Sequence, residues 1–461
     1  MPCRRIFPTL VAACVTASCL ALTVSAFAMS PRDEPSEDKP TPPVDPDKGE
    51  QELFSVHFQS TMVTAYHPTF AEKYHGKNSL GAEAESATAF VSTLYLDRRL
   101  WPGGEFLLNP EISGGKGLSS TLGVAAFPTG IVYRVGDPAP AAYIARVAIS
   151  QTFGLGGGRV TNEAGPNELA DIRDRDVLAI TVGKVSVTDV FDGNRYAHDA
   201  TERFFNWALF ASGAFDYPAD TKGYTWGVLA DLAVDWWSAR AGFALEPKYA
   251  NEAQIDWRPL KAHGLMAEYE ARYTINGQHG AVSTLVFLNQ ERAGSYAQVL
   301  ANPTLYNNDI TQTRKDGRIK YGIALSCEQQ IRPGLGTFLR LSANDGATES
   351  WAFTEIDRSA ATGAVQDGAL WGRDRDEVGA AVVVNGLSSL HRAYLAGGGL
   401  GFILGDGALN YGPEVLFDTY YKLSLADNVS FSGIYQPIIN PGYNRDRGPV
   451  HVLTGRLHVD F

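Results

Sequence analysis

Cysteine is scarce in this chain. Only four occur, and Cys3, Cys14 and Cys19 lie in the opening segment. There Arg4 and Arg5 precede a largely apolar stretch, 6–24, and Ala26-Phe27-Ala28 closes it. This is the pattern of a secretory signal cut after Ala28. Val11-Ala-Ala-Cys14 resembles a lipoprotein box, but its apolar lead-in is too short. Cys327 alone remains, so no intramolecular disulfide forms, which favours a Gram-negative envelope protein over a disulfide-built secreted one. Nowhere after Ala28 is there an uncharged apolar run of about 18 residues, which excludes α-helical membrane spans. Positive charge is also short. The formal net charge is −12, and removing Arg4 and Arg5 takes it to −14, leaving no electrostatic case for nucleic acid.

Catalytic signatures are missing too. There is no Gly-x-Ser-x-Gly, His-Glu-x-x-His or Walker loop. Gly154-Leu-Gly-Gly-Gly lacks the Lys-Ser/Thr needed to cradle phosphate and reads as a flexible turn. The His198-Asp199 pair has no second histidine or cysteine at ligand spacing, so it reads as structural. Acidic residues are numerous, but nothing marks out two as a glycosidase pair. No catalysis, metal or cofactor is expected.

Glycine, tyrosine, phenylalanine and tryptophan, by contrast, are plentiful. In the last stretch, 450–461, Leu453, Gly455, Leu457, Val459 and Phe461 fall on one face and Thr454, Arg456, His458 and Asp460 on the other. This is the period of a half-buried strand, and it runs to the last residue. A closed barrel pairs its last strand with its first and leaves no edge. Phe461 is then the assembly signal presented to the barrel-assembly machinery. Residues 29–52 are rich in proline and acid, and are expected to be a disordered linker.

From 53 onward alternating stretches recur between Gly-, Pro-, Asn- and Asp-rich breaks. Clear strands are expected at 53–64, 87–96, 142–153, 176–186, 224–236, 238–246, 264–275, 317–331, 335–343, 377–385, 412–425, 429–437 and the final stretch. Weaker ones are expected at 105–112, 118–127, 281–290 and 393–404. A barrel with both ends in the periplasm needs an even number, so the odd total predicts 16 or 18 strands. Leu265, Ala267, Tyr269 and Ala271 oppose Glu268, Glu270 and Arg272. Likewise Val415, Phe417, Thr419 and Tyr421 oppose Glu414, Asp418 and Lys422. Trp236, Trp237, Tyr273 and Tyr435 sit near the ends of apolar rows, as interfacial girdles do. The expectation is an all-β transmembrane antiparallel barrel over 53–461, with long extracellular loops. The segment 187–223 is too long and too aromatic for a plain turn, and is expected to fold into the lumen.

Tyr66-His-Pro-Thr-Phe, Gly76-Lys-Asn-Ser-Leu and Leu94-Tyr-Leu-Asp-Arg-Arg-Leu-Trp-Pro-Gly-Gly resemble the N-terminal part of the carbohydrate-selective porin family, OprB. Val182-Gly-Lys-Val-Ser-Val-Thr-Asp-Val-Phe-Asp, Tyr196-Ala-His-Asp and Phe205-Asn-Trp-Ala-Leu resemble its middle. Tyr443-Asn-Arg-Asp-Arg-Gly-Pro-Val-His-Val and Gly455-Arg-Leu-His resemble its closing strand. The resemblance implies a sixteen-stranded outer-membrane barrel that passes mono- or oligosaccharides by diffusion. A sugar channel needs polar groups to replace hydration and aromatics to meet pyranose rings. Candidate lumen residues are Arg240, Glu246, Glu268, Glu270, Arg272, Glu414, Asp418 and Lys422. Candidate constriction-loop residues are Asp192, Arg195, Tyr196, His198, Asp199 and Trp207. For each, an interior salt bridge without solute contact is the competing reading. Sugars and outer-membrane lipid are the expected partners, with the chain a monomer or homotrimer. General or anion-selective porins, a barrel enzyme and a soluble β protein are the alternative functions.

Overall fold

A computed structural model describes residues 51–133 and 138–461, together with the backbone of Ala28–Met29 beside Tyr273 and Thr274. Residues 1–27 of the signal segment and residues 30–50 of the linker lie outside the described residues. Sixteen antiparallel strands follow in chain order: β1 (Phe54–His67), β2 (Glu85–Trp101), β3 (Gly104–Gly115), β4 (Ala141–Asn162), β5 (Asp171–Val185), β6 (Thr225–Val234), β7 (Trp237–Leu245) and β8 (His263–Ile275). Then come β9 (Gln278–Glu291), β10 (Arg318–Arg332), β11 (Leu335–Asn344), β12 (Arg358–Asp367), β13 (Glu377–Gly386), β14 (Glu414–Ala426), β15 (Val429–Ile439) and β16 (Val450–Asp460). Each pairs with its sequence neighbour, and β16 pairs back onto β1, with Thr454 opposite Ala65 and His458 opposite Thr61. Closure satisfies the backbone hydrogen bonds of every strand, as a lipid-facing sheet requires. No helix among the described residues is long and apolar enough to cross a membrane.

The sequence reading miscounts by two strands gained and one lost. Residues 118–127 form a short 3₁₀ turn and loop, and 393–404 belong largely to a helix, Ser389–Ala396, and its exit. The strand overlooked is β12. Its inward residues Ser359, Ala361 and Gly363 are small because Ser342, Arg340 and Phe338 lie opposite on β11, and its outward Ala360, Thr362 and Ala364 are small as well. Neither face stands out, so alternation carries no signal there. The Gly-rich stretch expected as a turn lies within β4. Gly156, Gly157 and Gly158 have positive φ, and the register with β5 shifts twice around them, so these are bulges within a strand.

Outward side chains such as Met62, Ile149, Val182, Val228, Ile323 and Leu453 are exposed and apolar. Aromatics collect at both ends of this apolar wall. Trp237 stacks on Tyr269 and Trp371 lies against Tyr421 near the short turns, whereas Trp226 meets Trp257 at the other end. Turns at 102–103, 235–236, 276–277, 333–334 and 427–428 are two residues long, and both barrel termini share their end. Long connections occupy the opposite end. By the rule for outer-membrane barrels, short turns are periplasmic and long loops extracellular.

Candidate permeation pathway

Inside the wall lies the connection between β5 and β6, residues 186–224. It starts with a capping box in which Ser186 and Asp189 bond each other's backbone, and Asn206 caps a single helical turn, Trp207–Phe210. Phe191, Phe204, Phe205 and Leu209 are fully buried in one apolar cluster with Phe127 and Ile356. The Trp207 indole stacks on Phe353 at 4.4 Å and donates to the Thr129 carbonyl at 3.2 Å.

Polar anchoring of this loop falls mainly on the later strands. The Asp192 N–H donates to Glu268 at 2.7 Å, while its carboxylate accepts from Ser212 Oγ at 2.7 Å and pairs with Arg340, a side chain 2% exposed. Asn194 donates to Ser326, Ala214 to Ser342, and the Phe205 and Asn206 N–H groups to Asp418 at 3.0 and 3.2 Å. Lys320 pairs with Asp216 at 2.7 Å, Arg203 with Glu377 at 3.2 Å, and Lys422 with Glu202 at 3.0 Å. Arg456 on β16 donates to the carbonyls of Ala200 and Arg203 at 2.7 and 2.8 Å. A Cβ on Gly336 would meet the Tyr196 ring at 1.9 Å, so only glycine lets that ring lie against β11. Taken out of water, each of these charges holds its place only by being paired.

Parts of β1, β4 and β5 leave more room. Inward-facing His57, Gln59, Ser150 and Thr181 remain half-exposed, whereas the inward residues of β13, from Glu377 to Asn385, are all buried. Along this freer side an aromatic and charged cluster forms. Arg146 holds Asp189 through two bonds of 2.6 and 2.7 Å and lies 5.2 Å from the centre of the Tyr224 ring. Lys222 sits 3.6 Å over Tyr143 and 4.6 Å from Tyr133. Tyr224 donates to Glu111 at 3.0 Å, as does Tyr143, and Lys184 approaches Asp220 at 3.8 Å. Burial lowers the pKa of Lys222 and raises that of Asp220. Donors, acceptors and ring faces on one surface suit a hydroxylated, partly apolar solute.

A family model for carbohydrate-selective porins, the OprB family, matches residues 77–461. This chain belongs to that family. The chain is thus a carbohydrate channel of the bacterial outer membrane. Among solved structures, the high-pH form of OprB from Pseudomonas putida superposes with a TM-score of 0.68 at 15% identity, covering 89% of this chain and 94% of that one. The low-pH form of the same protein gives 0.48 at 12% identity, covering 89% and 93%. OmpF from Salmonella typhi, in complex with daunomycin, gives 0.47 at 9%, covering 89% and 98%. No curated protein matches the sequence.

The residues singled out from sequence sort in three ways within this OprB-family barrel. Arg240 pairs with Glu268, Glu270 and Asp231, and Arg272 bonds Glu270, Ser238 and two backbone carbonyls. With Asp192, Asp418, Lys422 and Trp207 they form the internal scaffold. Glu246 and Glu414 are buried. The first is wholly inaccessible, and burial raises its pKa well above the usual carboxylate range; the second clasps the Ala125 and Gly442 N–H groups at 2.9 and 2.8 Å. Arg195 and Asp199 are exposed on the loop, with Tyr196 and His198 half-exposed beside them; burial lowers the pKa of His198. Phe461 is outward and exposed, its backbone bonded both ways to Phe58. The sequence reading passed over Arg146, Lys184, Lys222, Tyr143 and Tyr224, although Ala145-Arg-Val-Ala-Ile places a lone arginine among apolar residues. Lys222, Tyr133 and Tyr143 are brought together only by folding.

Proposed function

We propose that sugars cross this barrel by passive diffusion along the β1–β5 side of the lumen, past Lys222, Tyr143, Tyr224, Arg146 and Glu111. The observation that supports this most directly is the one-sided seating of 186–224, whose buried anchors lie mainly on β8 to β16 and which meets β4 through Asp189 and Lys222. Residues buried in ion pairs there shape the lumen without touching solute, and the partly exposed Lys222, Tyr143 and Arg146 do the contacting, backed by the buried Tyr224 and Glu111. The reading extends to export after cleavage at Ala28, a linker over 29–52, and delivery of the C-terminal strand ending in Phe461 to the assembly machinery. The barrel is complete within one chain, so a monomer suffices for transport.

Single-channel conductance of the purified protein in a planar bilayer, with mono- and disaccharides titrated in, tests this. Saturable sugar block is expected, and Lys222→Ala should weaken it about fivefold, the worth of one hydrogen bond of about 1 kcal/mol. Conductance indifferent to every sugar would assign a general diffusion pore instead. No conductance from folded protein would end the channel reading.

A further inference from the structure

Beyond the cluster near the extracellular end, a second narrow point follows from the outsized hairpin of β4 and β5. Pairing of β4 with β3 stops at Gln151 opposite Gly104, and pairing of β5 with β6 starts at Val177. Residues 153–162 and 171–176 therefore form a ribbon whose strand pairing is only with itself, extending past its neighbours on the periplasmic side. A straight ribbon would stand free in solvent. This one is bent at Gly156, Gly157 and Gly158, where φ is +93°, +78° and +100° and the register slips. Bulges of this kind turn a strand sharply.

The turn beyond the bend lands on inward residues. Glu52 and Ala170 exchange bonds, Glu52 N–H to the Ala170 carbonyl at 3.1 Å and Ala170 N–H to the Glu52 carboxylate at 2.9 Å. Arg99 reaches Asp171 and Glu105, both at 3.4 Å, and the Asn167 backbone faces the Asp97 carboxylate. Asp97 and Arg99 alternate with the outward, exposed Leu100 and its neighbour Arg98, so they point into the barrel. Leu169 is 1% exposed, so the turn is seated against protein. One carboxylate oxygen of Asp97 and one of Asp171 are buried with no hydrogen-bond partner, acceptors left for a solute hydroxyl or a cation. Glu52, Asp97, Glu105, Glu168 and Asp171 outnumber Arg99 and Arg173 here.

From this geometry we infer that the tip of the β4–β5 hairpin forms a second, periplasmic constriction, acidic in balance, that admits neutral sugars and disfavours anionic ones. It deepens the channel reading and rests on it. Acidic side chains lining a pore raise the local concentration of cations and exclude anions. The tip's Glu168 side chain is 46% exposed and so open to labelling.

The test uses the full chain with Cys327→Ser and Glu168→Cys, labelled either with sulfonatoethyl or with trimethylammonium-ethyl methanethiosulfonate. In each, the cysteine thiolate takes the reagent's thioalkyl group and methanesulfinate leaves. Both labels should cut single-channel conductance about twofold or more, and the cationic one should shift the reversal potential in a salt gradient toward anions. Asp171→Asn, which adds no bulk, should shift the reversal potential the same way. A conducting barrel whose conductance and reversal potential ignore both labels and Asp171→Asn overturns this inference alone. An unmodified barrel that conducts nothing overturns the channel reading and this inference with it.

Discussion

Asp192 and Arg340 are each nearly inaccessible and bonded to one another, so neither charge survives alone without cost. Removing one partner of such a pair typically costs about 3–5 kcal/mol, while replacing both with apolar groups is close to neutral. Asp192→Asn should therefore loosen the 186–224 loop and enlarge single-channel conductance, with strand content by circular dichroism unchanged. Asp192→Leu combined with Arg340→Met should bring conductance back toward the original. A double variant as leaky as the single one would mean that the pair is not what holds the loop. The polarity of inward positions such as Glu268 and Asp418 was legible from alternation, because a strand's period fixes its faces. Their partners were not. Asp418 bonds the N–H groups of residues more than two hundred positions earlier, and no local pattern encodes that meeting.

Among elements, the extracellular loops are joined by a buried knot around Glu355. Its carboxylate accepts the Ile403 and Leu404 N–H groups, lies 3.8 Å from His391, and is surrounded by Asp357, Tyr296 and Tyr443. Burial pushes its pKa up to about 7, from an ordinary value of 4.5. The folded loops thus hold a proton that the opened loops release, so their stability is full below about pH 4.5 and is lost as pH rises through 7. Hydrogen-exchange protection of the Ile403 and Leu404 amides, with the base-catalysed rise in intrinsic exchange divided out, should fall across that interval, and Glu355→Gln should flatten the fall. Protection that rises with pH would sink this account. These loops were the least legible part of the chain. Short helices at 296–301 and 389–396 hold their place by packing Tyr296 against His391 and Tyr394, contacts that bridge separate loops. The glycine triplet of β4 was misread for a related reason, since glycine marks a bend equally well in a turn or in a bulged strand.

At the scale of the whole molecule, barrel and closure were visible in the chain, because lipid outside and water inside impose two-residue alternation on long strands. The porin class came from the resemblance of stretches such as 66–70, 182–192 and 443–452 to one family, not from the alternation. The exception, β12, borders the packed loop on its inner side and has lost the contrast. Phe461 completes the pairing of β16 with β1 through its bonds to Phe58. Deleting it should slow folding into detergent micelles, followed as heat-modifiable gel mobility, while leaving the conductance of barrels that do fold unchanged. Equal folding rates would show that the terminal aromatic is dispensable. Arg456 adds a consequence for biogenesis. It lies five residues from the end of the chain, yet it grips the carbonyls of Ala200 and Arg203 in the central loop. The latch on the filter thus arrives only with the final strand. A chain cut short before β16 loses both its seam and its sieve, and any barrel it managed to improvise would be a hole in the cell's permeability barrier.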